Sequence, residues 1–96
     1  MPYGSGKYTY ELVDEWAKLP AGWTISDACG VAVDASDKVY ILSRSAHPVT
    51  VFDREGNLLT SWGEGYFKRA HEATFGPDNS VWCADDGSHT VTKFTR

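Results

Sequence analysis

The fold is decided by a repeat, in which CGVAVDASDKVYILSRSAHPVTVFDR (residues 29–54) returns 42 residues later as HEATFGPDNSVWCADDGSHTVTKFTR (residues 71–96). The two stretches align without a gap, and their identical pairs include Val39 with Val81 and Phe52 with Phe94. Apolar runs and turn residues also fall at the same places in both. Self-similarity at a period of roughly 20–50 residues is typical of folds that stack one supersecondary unit on the next.

Each repeat is predicted to form a small antiparallel sheet. In the first, residues 30–34, 39–42 and 49–52 are apolar runs bounded by polar turns, and Gly56-Asn57 signals a hairpin into a fourth strand over residues 58–62. The second repeat gives strands over residues 71–75, 81–84 and 90–94, with no fourth strand before residue 96. The pattern predicts an all-β chain with two such units, over about residues 27–62 and about residues 69–96.

The missing strand has a candidate near the start of the chain. Residues 8–16 match the outer strand of the first repeat, with Trp16 in the place of Trp62. Two units alone leave apolar faces and a strand edge uncovered, and such surfaces recruit partners. We therefore predict that residues 1–96 form a single two-blade unit of a β-propeller, whose second blade is completed by residues 8–16, supplied by a neighbouring chain.

Closed propellers have roughly four to eight blades, so two blades per chain fit a dimer, a trimer or a tetramer. The favoured assembly is a homotrimer that forms a six-bladed ring. Two alternatives remain open from the sequence: the chain is a fragment of a longer protein, or its two small sheets pack in another way.

The repeats resemble those of NHL-type six-bladed propellers. The resemblance is carried by residues 30–34, 39–42, 49–56 and 58–63, which match the strand, turn and terminal Trp-Gly pattern of those blades. The second repeat, over residues 67–75, 81–85 and 89–94, is similar to blades of the peptidyl-α-hydroxyglycine α-amidating lyases. This resemblance implies the propeller fold strongly and a function only weakly, because one fold hosts many activities.

The resemblance to the lyases also implies two site residues. His71 holds the position of a zinc-ligating histidine, and Arg44 holds that of an arginine that acts on the substrate. Three imidazoles and an open position make a catalytic zinc site, and a threefold ring would supply three copies of His71. The alternatives are a channel-lining His71 bound to water or a backbone carbonyl, and an Arg44 that is solvated or paired with Asp85 or Asp86.

Three further residues are candidates for binding a ligand. Cys29 occupies the place of His71 in the first repeat, so it is expected near the same channel. Tyr66 follows an outer strand and is expected either to rim the channel or to pack over a sheet face. Asp86 belongs to an Asp-Asp-Gly turn, where a carboxylate either serves acid–base chemistry or caps its own backbone.

Composition and charge limit the partners. The chain has a formal net charge of -4, with 13 acidic and nine basic residues, which argues against nucleic acid and against anionic membranes. Residues 1–7 lack the apolar segment of a signal peptide, and no apolar run is long enough to span a bilayer. These features predict a cytoplasmic protein.

The sequence favours a self-assembling propeller that binds a small ligand or peptide in its central channel or serves as a scaffold. The second hypothesis is a metal-dependent lyase or hydrolase, with zinc on His71 and with Arg44 stabilising negative charge on the substrate. The sequence leaves open whether the chain is an enzyme.

Overall fold

A computed structural model describes residues 2–95 of the chain. These residues form nine β-strands in three sheets, every strand pair is antiparallel, and the described part contains no helix. The all-β prediction is therefore confirmed. The strands are β1 (Pro2–Ser5), β2 (Tyr8–Glu11), β3 (Ala28–Val33), β4 (Val39–Ser43), β5 (Val49–Phe52), β6 (Leu58–Trp62), β7 (Ala70–Phe75), β8 (Val81–Asp85) and β9 (Thr90–Phe94).

The first repeat folds into sheet I, a meander in the order β3-β4-β5-β6. Its turns are built by carboxylates that accept hydrogen bonds from the backbone. Asp34 accepts from the amides of Ser36 and Lys38, at 2.8 and 2.9 Å. Asp53 accepts from the amide of Asn57 at 2.9 Å in the β5–β6 turn. These turns fix the strand pairing that the apolar pattern predicted.

The second repeat folds into sheet II, in the order β7-β8-β9. The strands match the predicted ranges to within one residue at each end. Within the described residues, β9 pairs only with β8, so its other edge carries no partner strand. In sheet I the equivalent strand, β5, has β6 on that edge.

The N-terminal part differs from the prediction of one strand over residues 8–16. Only Tyr8–Glu11 is extended, and this strand pairs with β1 in a two-stranded hairpin. Gly4 and Gly6 adopt positive φ values of 96° and 64°, which permit the tight reversal. Residues 12–16 form no strand, because no neighbouring edge in the chain pairs with them.

Sheets I and II pack face to face around one apolar core. The Tyr40 ring meets the Phe75 ring edge-on, with centroids 4.8 Å apart. Gly30 allows the inner strands β3 and β7 to approach closely, since a Cβ there would lie 2.9 Å from the Ala73 nitrogen. The buried members of this core are Tyr40, Leu42, Val49, Val51, Ala70, Ala73, Val81 and Cys83.

Candidate functional site

His71 lies at a β-bulge where sheet II begins. The pairing of β7 with β8 slips between Ala70 and Glu72, so His71 has no partner across the ladder. The pairing of β3 with β4 slips in the same way between Ala28 and Gly30, at Cys29. Bulges turn one side chain away from the regular sheet face. The two repeat-equivalent candidates, Cys29 and His71, thus share a backbone position, and His71 is exposed.

Arg44 spans the gap between the two sheets. Its Nε donates a hydrogen bond of 3.0 Å to the carbonyl of Ala70, the residue that precedes His71. The structure therefore brings Arg44 and His71 to the same end of the inner strands. The anticipated pairing of Arg44 with an aspartate is not among the contacts of the described residues; instead Asp86 faces Arg69, with Oδ1 and Nε 3.5 Å apart.

Cys29 is half-buried beside this end of sheet I. Its Sγ lies 3.3 Å from the Leu42 carbonyl. Burial raises the pKa of the Cys29 thiol, and the nearby positive charge of Arg44 partly offsets that effect. A thiol with a raised pKa is a poor nucleophile at neutral pH, so Cys29 suits a lining role. It lines a concave region of about 460 Å3 with Val31 and Glu72.

A second pocket, of about 360 Å3, opens on the outer face of sheet II. His71 and Asp86 both line it, together with His89. His89 has a φ of 57°, a left-handed conformation that is uncommon outside glycine. The sequence could not predict that His71 and His89 line one pocket, because the direction of the His71 side chain depends on the bulge at that residue.

Asp85 also borders this pocket, but its carboxylate is committed to the backbone. The side chain is 3% exposed and accepts hydrogen bonds from the amides of Lys68, Arg69, Gly87 and Ser88. Loss of hydration works to raise the pKa of Asp85, but these hydrogen bonds outweigh it and lower the pKa to about 2. Asp85 therefore ties the loop before β7 to the turn after β8.

Tyr66 packs over a sheet face, which was one of its two expected places. Its hydroxyl bonds the Thr92 hydroxyl at 2.9 Å, and its ring meets Phe67 and Phe94 edge-on. Tyr66 lines neither of the two pockets described above. The structure thus gathers His71 and Asp86 at one pocket, places Cys29 at another, joins Arg44 to the Ala70 carbonyl, and sets Tyr66 apart.

The repeat partner of His89 has quite different surroundings. His47 stacks on Trp23, with ring centroids 3.4 Å apart and planes within 7° of parallel. Its Nδ1 lies 3.2 Å from the Glu64 carboxylate. His47 is thus held by side chains that flank sheet I, whereas no hydrogen bond of the described residues engages the His89 ring. The two histidines therefore have different contacts although they occupy the same repeat position.

Within residues 2–95, no three His, Cys, Asp or Glu side chains are grouped closely enough to hold a metal ion. The same residues include no helix with the length and apolar character needed to cross a bilayer. Comparison of the chain with protein-family models gave no match, and comparison with curated proteins gave none.

Proposed function

We propose that this protein assembles with copies of itself into a six-bladed β-propeller of three chains, which binds a small ligand or peptide, or acts as a scaffold, around a central channel. The observation that carries the proposal is a match between surfaces. Each exposed face of the two-sheet unit is formed by the repeat positions that form a buried face inside it, and most of these positions are apolar in both repeats.

The junction within the chain defines what a buried face contains. Sheet I contributes Tyr40, Leu42 and Val49, which are 8%, 1% and 3% exposed. Sheet II contributes Ala73 and Phe75 from its other side, with Ala73 only 7% exposed. Apolar side chains on both sides exclude water, and this burial is what stabilises the contact between sheets.

The exposed face of sheet II repeats the buried face of sheet I. At the positions equivalent to Tyr40 and Val49 stand Trp82 and Val91, which are 38% and 67% exposed. These are large apolar side chains on a sheet face without a covering layer in the described chain. Contiguous exposed apolar surface of this kind marks interaction sites.

The exposed face of sheet I, in turn, repeats the buried face of sheet II. Val31 and Val33 take the positions of Ala73 and Phe75, and they are 64% and 54% exposed. The face of sheet II on one copy is therefore suited to the face of sheet I on the next. Such a head-to-tail contact joins different surfaces, and it ends only when the ring closes.

Closure with three copies gives six blades, within the range of known rings. The inner strands β3 and β7 would then surround the channel, and the pocket of His71 and His89 would lie where one copy meets the next. The lining of that pocket combines two histidines and two aspartates with Ala84 and Val91, a mixture that suits a small polar ligand or a peptide.

The decisive measurement is the mass in solution over a range of protein concentrations. The chain has a mass of 10.6 kDa, so the proposal expects a species with three times that mass, resolved by sedimentation equilibrium. A single-chain mass at every concentration would refute it, and a stable dimer or tetramer would refute the sixfold count. Chemical-shift changes confined to the His71 pocket on titration with short peptides would identify the ligand-binding role.

A metal-dependent lyase or hydrolase is the second candidate, favoured by the bond that sets Arg44 beside His71. One chain supplies too few donors for zinc, so this role requires His71 from three copies. Zinc would polarise a substrate oxygen, and Arg44 would stabilise negative charge there. Elemental analysis of the assembled protein should give about one zinc per three chains, and none after His71→Ala; metal-free protein after zinc loading would refute this role.

A further inference from the structure

The segment of residues 12–16, here called the arm, has the character of a strand without a partner. Leu12 and Val13 are 65% and 66% exposed although both are large apolar residues. Glu15 has a φ of 54°, which interrupts the extended backbone of β2 before it reaches Trp16. Exposed apolar side chains and a left-handed glutamate are both unfavourable, and both would be relieved if the arm became a strand.

The arm also repeats the sequence of β6. Leu12, Val13 and Trp16 match Leu58, Leu59 and Trp62 at a constant separation of 46 residues. In sheet I, β6 is the strand that covers the edge of β5. The equivalent edge in sheet II belongs to β9, and no described strand covers it.

The two tryptophans show that the likeness is structural. The Trp62 ring packs on Phe94 of sheet II with centroids 4.9 Å apart and an interplanar angle of 58°. The Trp16 ring packs on Phe52, the repeat partner of Phe94, at 5.5 Å and 50°. Trp16 therefore sits against sheet I as the end of a preceding outer strand would, although the β1–β2 hairpin is the only sheet before sheet I in the described residues.

We propose that the arm is the exchanged fourth strand of the assembly, and that it pairs with β9 of a second copy of this chain. This inference rests on the proposed function, since it needs a neighbouring copy, and it names the segment that locks the ring. Transfer of the β5–β6 register sets Trp16 opposite the partner's Val91 and Asp14 opposite the partner's Lys93. The second pair brings opposite charges together across the strands, which is favourable.

The exchange would make residues 8–16 one continuous strand, with β1 still paired to β2. The lone β1–β2 hairpin touches neither sheet within the described chain. A two-stranded hairpin is marginally stable in water, so attachment of β2 to a larger sheet would stabilise it. The order in the completed sheet is β7-β8-β9, then the arm; since the register puts Leu12 opposite the partner's Phe94, the β1–β2 hairpin extends the arm past the end of β9.

Cysteine cross-linking tests the register directly. A chain with Asp14→Cys is mixed with a chain that carries Lys93→Cys, the mixture is oxidised, and non-reducing gels with mass spectrometry identify the linked peptides. Opposite residues of an antiparallel pair lie close enough for a disulfide. The matched control replaces Lys93→Cys with Thr90→Cys, which stands three positions out of register. We expect a disulfide joining positions 14 and 93, formed at least about tenfold faster than one joining 14 and 90.

A second variant separates this inference from the proposed function. Replacement of Leu12 and Val13 by aspartate should lower the fraction of trimer at a given concentration, while the sheet faces stay intact. If the trimer forms but no 14–93 disulfide appears, or if the arm variant assembles as well as the parent, the exchange is refuted and the ring stands. If the parent chain remains single, both proposals fail.

Discussion

Replacement of Val91→Asp on the exposed face of sheet II tests the surface match most directly. Val91 is 67% exposed, whereas its repeat partner Val49 is 3% exposed at the junction within the chain. Burial to the same degree would contribute about 1.5–2 kcal/mol at each junction between copies. An aspartate loses that contribution and adds the cost of burying a charge. Because a closed trimer has three junctions, its association constant should fall by at least roughly a thousandfold.

Sedimentation equilibrium of the variant and the parent at matched concentrations measures this effect. Tyr3→Asp is the control, because Tyr3 is 56% exposed on the β1–β2 hairpin, outside both faces. Circular dichroism should show that all three proteins stay folded and rich in β-strand, since the Val91 side chain is 67% exposed and supports little of the single-chain core. Equal trimer fractions for Val91→Asp and the parent would contradict the idea that this face lies at the junction.

Three other substitutions or treatments test the single chain. Asp85→Asn should lower the free energy of unfolding at neutral pH. Because the folded pKa of Asp85 is depressed to about 2, the difference in stability between parent and variant should shrink as the pH falls from about 4 towards 2. Urea titrations that show the same difference at every pH would contradict this role for Asp85. Gly56→Ala should cost about 1–2 kcal/mol or more, because φ is +83° and the new methyl would overlap the Trp16 carbonyl; thermal unfolding should show a lower midpoint, and tryptophan emission should shift to the red. Cys83 is 2% exposed, and burial raises its pKa to about 11, so alkylation followed by mass spectrometry should label Cys29 first and Cys83 only on unfolding; rapid labelling of Cys83 in the folded protein would count against the core as described.

The strands of both repeats follow from the sequence for a simple physical reason. Short apolar segments separated by turns that contain Asp, Gly and Asn favour an antiparallel meander, because each turn reverses the chain and sets the next strand beside the last. The strand over Thr90–Phe94 was predicted to the residue. The N-terminal strand was less predictable, since residues 12–16 have the composition of a strand but extended structure requires a paired edge. The sequence shows that residues 12–16 need a paired strand edge, but it does not show whether the same chain provides that edge.

The candidate site was predictable only in part. The repeat correctly paired Cys29 with His71, since both lie at bulges. The shared pocket of His71 and His89 could not be predicted, because it depends on the slip in strand pairing at His71 and on the left-handed φ of His89. One of the alternatives for Arg44 was an ion pair with Asp85 or Asp86; in the structure Arg44 donates to the Ala70 carbonyl and Asp86 faces Arg69. The partner of a long charged side chain depends on small differences in backbone position, which the sequence does not show.

The two repeats differ at Gly30 in how closely the backbone there approaches the next sheet, although they align without a gap. The missing side chain of Gly30 lets β3 approach the backbone of β7, where even a methyl group would crowd Ala73. The second repeat carries Glu72 at that position. An array built only from the first repeat would have this close approach at every step, and an array built only from the second would have it nowhere. The halves are therefore complementary components, and a gene that carried either half twice would not encode the same assembly.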